Sequence, residues 1–143
     1  MFINYKVDIF CVSSLLMSHI GFDSINVMGE LQIFNIDHFI SFAGTSSDQQ
    51  LSMGELFIKH SEEYLGNLKH ACVQKNHENF VFVAHQMKGM ASFAGTERLR
   101  DICFKAEKME NVSDDKRNTA LSIIKKEAEK AVSEVQLYLN TLQ

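Results

Sequence analysis

The residues best suited to chemistry stand in one stretch, Ala84-His85-Gln86-Met87-Lys88-Gly89-Met90-Ala91-Ser92-Phe93-Ala94-Gly95. Ala84, Met87, Ala91 and Ala94 fall three and four apart, so they share one face of a helix that turns inward. His85 lies beside that stripe and points outward. Lys88 at i+3 and Gly89 at i+4 are its neighbours on the helix surface. A glycine inside a helix costs about 1 kcal/mol relative to alanine. The cost is explained if another backbone comes close, or if the imidazole has to be open on that side. A neutral imidazole, with an ordinary pKa of about 6.5, is a competent nucleophile at neutral pH. Lys88 supplies a positive charge for an anion attached to the ring. Nucleophile, cation and clearance together suit a phosphoryl group that arrives, rests and leaves.

Taken singly, each residue has an ordinary explanation. A lone helical histidine is usually surface decoration, a lone lysine a solvated charge, and Gly95 a helix stop. The set is more specific than its members. It resembles the histidine phosphotransfer (HPt) domains of multistep two-component phosphorelays, whose pattern is His, an apolar residue at +2, Lys-Gly at +3 and +4, a small residue at +6 and Gly at +10. Those positions are His85, Met87, Lys88, Gly89, Ala91 and Gly95 in this chain, and Leu99, Ile102, Cys103 and Glu107 fit the family's next helix. The resemblance covers roughly residues 34 to 142.

The resemblance implies that His85 takes a phosphoryl group from an aspartyl phosphate on a receiver domain and passes it to the Asp of another. Such a transfer needs in-line geometry and neutralised equatorial oxygens rather than covalent help. His85 is then the phosphorylated residue, Lys88 stabilises and steers charge, and Gly89 gives clearance. Val81, Phe82 and Ser92, at i−4, i−3 and i+7, ring His85 on its face, with Val81 and Phe82 as apolar docking contacts; partial core packing is the other reading of Phe82. Gln86 at i+1 is placed near the ring or the partner. No cofactor or metal is expected on this chain, since the Mg²⁺ belongs to the receiver. The implied partners are receiver domains of a hybrid sensor kinase and of a response regulator, in the cytoplasm.

Two other classes fit these residues less well. A sensor kinase requires a glycine-rich nucleotide site, and the chain has neither the motif nor the length for one. A helical-bundle docking module that binds receivers without carrying phosphate has no need to keep the His-Lys-Gly set. His19, His38, His60, His70 and His77 match no ligand spacing, and no Glu-x-x-His pair suggests a di-iron bundle.

The whole chain bounds the architecture. Its 143 residues are one domain's length, and 45% apolar content suffices for a core. There is no proline, which favours long uninterrupted helices. A net charge of −4 gives no reason to expect nucleic acid. Cys11, Cys72 and Cys103 are widely spaced and form no CxxC, so neither a disulfide framework nor a zinc site is indicated; Cys72 and Cys103 read as small buried hydrophobes in a reducing cytoplasm.

Along the chain, residues 1–33 form an N-terminal extension and 34–143 the bundle. Ile3, Tyr5, Val7 and Ile9 alternate with polar residues as a strand does, and Ile9 to Ile20 is apolar but too short to span a bilayer. An extra helix packed on the domain, a flexible leader, and sequence upstream of a start at Met28 remain open readings, and no membrane role is expected. Asn35 caps a short helix through Phe42, stopped by Gly44, with Phe39 and Phe42 covering one end of the bundle. Ser47 and Gln50 read as a capping box opening a helix to about Val73, with Leu51, Phe57, Ile58, Leu65, Leu68 and Cys72 inward. Gly54 and Gly66 mark places where another element approaches. Asn76 caps the His85 helix, and Gly95 closes it. Thr96 caps a helix through about Glu110, with Leu99, Ile102, Cys103 and Ala106 inward. Ser113 caps the last helix, whose stripe is Leu121, Ile124, Ala128, Ala131, Val135, Tyr138 and Leu142. The expected fold is all-α: an antiparallel up-down-up-down four-helix bundle with a short extra N-terminal helix.

Overall fold

The computed structural model describes residues 30–143, so the readings made of residues 3–28 lie outside the described residues. Five α-helices follow one another there: α1 (Ile36–Ala43), α2 (Ser47–Val73), α3 (His77–Ala94), α4 (Glu97–Glu107) and α5 (Asp114–Asn140). Helices α2 to α5 make the four-helix bundle. α3 packs against both α2 and α4, and α5 closes the ring against the same two. α1 lies across α3 and the start of α2.

The starts and stops follow from local chemistry. Asn35, Asn76 and Ser113 each turn a side-chain oxygen back to the N–H three residues on, which satisfies one of the free donors at a helix start. The start of α2 differs from the capping-box reading. Ser46, not Ser47, is the N-cap, and it makes no side-chain cap bond. Gln50 is drawn elsewhere: its Nε2 donates to the Gly44 carbonyl at 2.8 Å, and its Oε1 accepts from the Tyr138 hydroxyl at 2.5 Å. That buried amide ties the α1–α2 corner to α5. α4 stops at Glu107, three residues short of the expected end, before the connection 108–113.

The core is continuous through all four long helices. Leu68, Phe80, Met87, Leu99, Ile102, Ile124 and Leu139 are completely or almost completely buried, and each such side chain stabilises the fold by about 1.5–3 kcal/mol. All four expected inward positions of α4 are buried. In α5 the buried stripe is wider than expected. Ala120, Ile123 and Leu139 join it, whereas Leu121, Tyr138 and Leu142 are only half-buried at its edges. Phe39 is sealed under Phe34 and Tyr138, with ring centroids 5.5 and 5.9 Å away. Phe42, expected to cover the bundle end with it, is half exposed and rests on Phe93 instead.

Buried charge is the part of the core that hydrophobic periodicity does not reveal. Arg117, on the first turn of α5, donates to the Val112 carbonyl at 2.7 Å and pairs with Asp114, which fixes the α4–α5 connection. Glu127 accepts from Arg98 at 2.7 Å and Lys130 at 3.1 Å, joining α4 to α5. Removing one partner of such a pair leaves the other unpaired in a poorly solvated place.

The two glycines of α2 have different causes. A Cβ at Gly54 would stand 2.6 and 2.7 Å from the two methyls of Leu139 and 3.0 Å from its Cγ, so the Leu139 side chain of α5 packs directly on the α2 backbone there. A Cβ at Gly66 would meet nothing within 4 Å. Gly66→Ala is therefore expected to stabilise the fold by about 1 kcal/mol through helix propensity alone. Gly54→Ala is expected to lose on the order of 1 kcal/mol net, because overpacking of about 1–3 kcal/mol outweighs the same gain. Thermal melts of the two variants, moving in opposite directions from wild type, check both.

Candidate functional site

The turn between α3 and α4 sets the geometry of the site. Gly95 is left-handed, with φ 73°, and its N–H closes onto the Ser92 and Ala91 carbonyls. Thr96 is fully buried and turns its hydroxyl to the Ala91 carbonyl at 3.2 Å, rather than to the N-terminus it precedes. The chain reverses within two residues, so α3 and α4 run antiparallel in contact. His85 lies ten residues before Gly95 and Glu107 twelve after it, so the hairpin brings them level.

His85 is on the open side of α3, with 60% of its side chain exposed. Its Nδ1 lies 2.9 Å from Glu107 Oε1. The other oxygen of the same carboxylate pairs with Lys88 Nζ at 2.6 Å. One carboxylate, only 13% exposed, thus holds the imidazole and the ammonium together. The hydrogen bond from Lys88, helped by that from His85, outweighs partial burial and keeps the Glu107 carboxyl below the usual glutamate range. An ionised carboxylate can only accept, so Nδ1 carries the proton of this pair. In the neutral form of the ring Nε2 then keeps its lone pair.

Lys88 also lies over the Phe104 ring, 5.4 Å from its centroid, and Lys108 lies at the same distance. Gly89 needs no internal explanation, since a Cβ there would meet nothing within 4 Å. The remaining candidates stand around the imidazole. Phe82 is 57% exposed one turn before it, and Val81 and Gln86 are half-buried. The Ser92 hydroxyl donates to the Lys88 carbonyl of its own helix at 3.0 Å, so it faces the backbone.

Glu107 is the residue that the site reading lacked. The resemblance places it on the following helix without assigning it a role. The signal that identifies it is its distance from the Gly95 turn, twelve residues after it against ten before it for His85. The cysteines, by contrast, lie where periodicity put them. Cys103 is completely buried, and burial with the nearby Glu107 charge pushes its thiol far above the ordinary range. Cys72 is shifted upward as well, chiefly by burial. Both are buried in the apolar core, as small hydrophobes are.

The site is thus an exposed imidazole, paired to a carboxylate and flanked by an ammonium, on the face of a four-helix bundle. The particular family is given by the sequence. The Hpt domain model matches residues 52–142, and the chain belongs to that family. Neither the curated proteins nor the solved structures give a match to it. Members are histidine phosphotransfer modules of two-component phosphorelays; they carry phosphoryl groups, engage receiver domains and are not kinases. Among the described residues no helix is long and apolar enough to cross a membrane.

The lowered Glu107 makes a prediction with a definite sign. A depressed native pKa adds stability that is complete above the unfolded value of about 4.3 and is lost as pH falls through the native one. Glu107→Gln is expected to cost about 1–2 kcal/mol at pH 7, as for a charged hydrogen bond. The difference from wild type should close as pH drops below about 4. Denaturant titrations of both proteins across that range measure it.

Proposed function

We propose that His85 is the phosphorylated residue of this chain and that it relays phosphoryl groups between receiver domains of a hybrid sensor kinase and a response regulator. The observation that carries this is the pairing at Glu107. A carboxylate that fixes the proton on Nδ1 aims the nucleophilic pair of Nε2 away from the bundle. Nε2 attacks the phosphorus of an aspartyl phosphate, the N–P bond forms as the O–P bond breaks, and the aspartate leaves as a carboxylate. The return step is the same displacement reversed. Nδ1 keeps its proton throughout, and the positive charge developing on the ring is met by Glu107.

Lys88 is the cation assigned to the incoming oxygens. Its tie to Glu107 keeps the ammonium within one turn of the imidazole while no phosphate is present, so little reorganisation is required on arrival. The Mg²⁺ that neutralises phosphoryl charge is assigned to the receiver, and none to this chain. Val81, Phe82 and Gln86 are assigned to the contact with the receiver, and Ser92 to its edge. The relay is placed in the cytoplasm, which suits the free thiols of Cys72 and Cys103.

Gly89 separates this function from fold maintenance. Because the added methyl group would touch nothing in the bundle, Gly89→Ala is expected to fold as well as wild type or about 1 kcal/mol better. It should nevertheless slow phosphotransfer by up to about 10²-fold, the cost of a displacement on the order of 1 Å in a reacting pair. A general helix role for Gly89 would leave transfer unchanged.

The function itself is tested by incubation with phosphorylated receivers and gel detection of acid-labile, base-stable label. Wild type is expected to label and His85→Gln to remain blank. Equal label on both, or none on wild type, rejects phosphotransfer and leaves a docking module.

A further inference from the structure

Charge balance separates the two lysines that share the Phe104 ring. Lys88 and Lys108 each hold their Nζ 5.4 Å from its centroid. Lys88 has a carboxylate of its own, since its Nζ pairs with Glu107 Oε2 at 2.6 Å. Lys108 has none: among the described residues no carboxylate comes within ion-pair distance of it. Two ammoniums drawn to one ring repel each other, and the attraction of each for an exposed ring face is weak. The pair is easier to hold if an anion joins it.

Lys108 is placed beside the site by its own helix. It follows Glu107 directly and stands four residues after Phe104, so its side chain meets that ring from the next turn. It is the C-cap of α4, where the free carbonyls of a helix end favour a cation. The other cations of α4 are engaged or distant. Arg98 pairs with Glu127 at 2.7 Å and Lys105 with Asp101 at 2.9 Å. Arg100 lies eight residues before Lys108, about 12 Å along the helix.

At rest the site balances without Lys108. Lys88 and Glu107 cancel, and the neutral imidazole adds nothing. Phosphorylation at Nε2 would disturb that balance. A phosphoryl group is close to dianionic at neutral pH, whereas a ring that keeps its proton on Nδ1 gains only one positive charge. Lys88 and Glu107 still cancel, so one negative charge is left over. Lys108 supplies one uncompensated positive charge on the ring that also carries Lys88.

We infer that Lys108 is the counter-charge of the phosphorylated state and that Phe104 is the positioning residue that keeps it at the site. The inference rests on the phosphotransfer reading of His85. Lys108 acts through space on how firmly the phosphoryl group is held once it is on the imidazole. It therefore sets how phosphate divides between this chain and a receiver domain.

The test reads that division. The equilibrium ratio of label on the chain to label on the receiver depends on the free proteins alone. A residue that only aids docking changes the forward and reverse rates together and leaves the ratio where it was. The full chain is mixed with the receiver domain that labels wild type fastest among those of its source organism. The ratio is measured at low salt for wild type, Lys108→Gln, Lys108→Glu, Lys108→Arg and Phe104→Leu. Lys108→Gln is expected to move it toward the receiver about two- to fivefold, the size of an exposed charge contact, and Lys108→Glu further. Lys108→Arg keeps the charge and is expected to match wild type. Phe104→Leu removes the ring face while Lys88 stays tied to Glu107, so a smaller shift in the same direction is expected. In about 1 M salt, where the screening length is about 3 Å, the differences should vanish. A wild-type ratio for Lys108→Glu at low salt overturns the inference and leaves the relay intact. So does a shift that survives high salt, or a change in rates at a fixed ratio. A wild-type ratio for Phe104→Leu alone overturns the role given to the ring. Absence of label on wild type with every receiver overturns the relay reading and this inference together.

Discussion

The close approach at Gly95 is the constraint on which the rest of the site depends. A left-handed residue reverses the chain at that point, and the bare Cα lets the Asn35 carbonyl come within a distance no side chain would allow. Two registers follow from that one position. The hairpin register sets Glu107 level with His85 and Lys88. The docking of the α1 cap sets Phe42 on Phe93. The His85–Glu107 pair and the Phe42–Phe93 contact are therefore positioned by the same turn, although they come from three helices.

The carboxylate of Glu107 shows how few groups the arrangement requires. Left alone, an imidazole beside an ammonium would be discouraged from gaining positive charge, which is what the proposed formation of an N–P bond asks of it. A shared anion removes that conflict. It balances Lys88 at rest and, in the proposed relay, the ring during transfer, and it also fixes the tautomer. Its partial burial matters because the same pair in full solvent would contribute little and would hold neither side chain in one place.

Much of this was readable from residue order. The exposed imidazole, its cation and the missing side chain were found because helical spacing fixes neighbours at three and four residues, and the caps at Asn35, Asn76 and Ser113 follow from short polar side chains before apolar runs. What periodicity does not encode is contact between helices. Gln50 looked like half of a capping box because its spacing from Ser47 fits one, yet a buried partner on α5 offered its amide more than the helix start did. Arg117 and Glu127 interrupt the apolar stripe of α5 and would be placed outside by polarity alone; each is buried because an opposite charge or a carbonyl is there to meet it. Phe42 failed in the reverse sense, since an aromatic residue one turn from a buried one was expected to be buried as well.

Gly54, Gly66 and Gly89 illustrate why the same residue type within helices calls for three separate accounts. Each weakens its helix by a similar amount, so each has to be offset or else simply tolerated. At Gly54 the offset is visible in the molecule, as the side chain of Leu139 occupies the space. At Gly66 nothing occupies it, no chemistry stands nearby, and the cost is merely borne. Gly89 is also unoccupied within the bundle, but it adjoins an imidazole whose free nitrogen faces out. Vacancy beside a nucleophile has a use that vacancy on a bare surface lacks, because a reacting partner has to bring its own atoms within bonding distance of Nε2. Under the proposed relay, that difference in surroundings, rather than glycine itself, makes Gly89 part of the site and leaves Gly66 outside it.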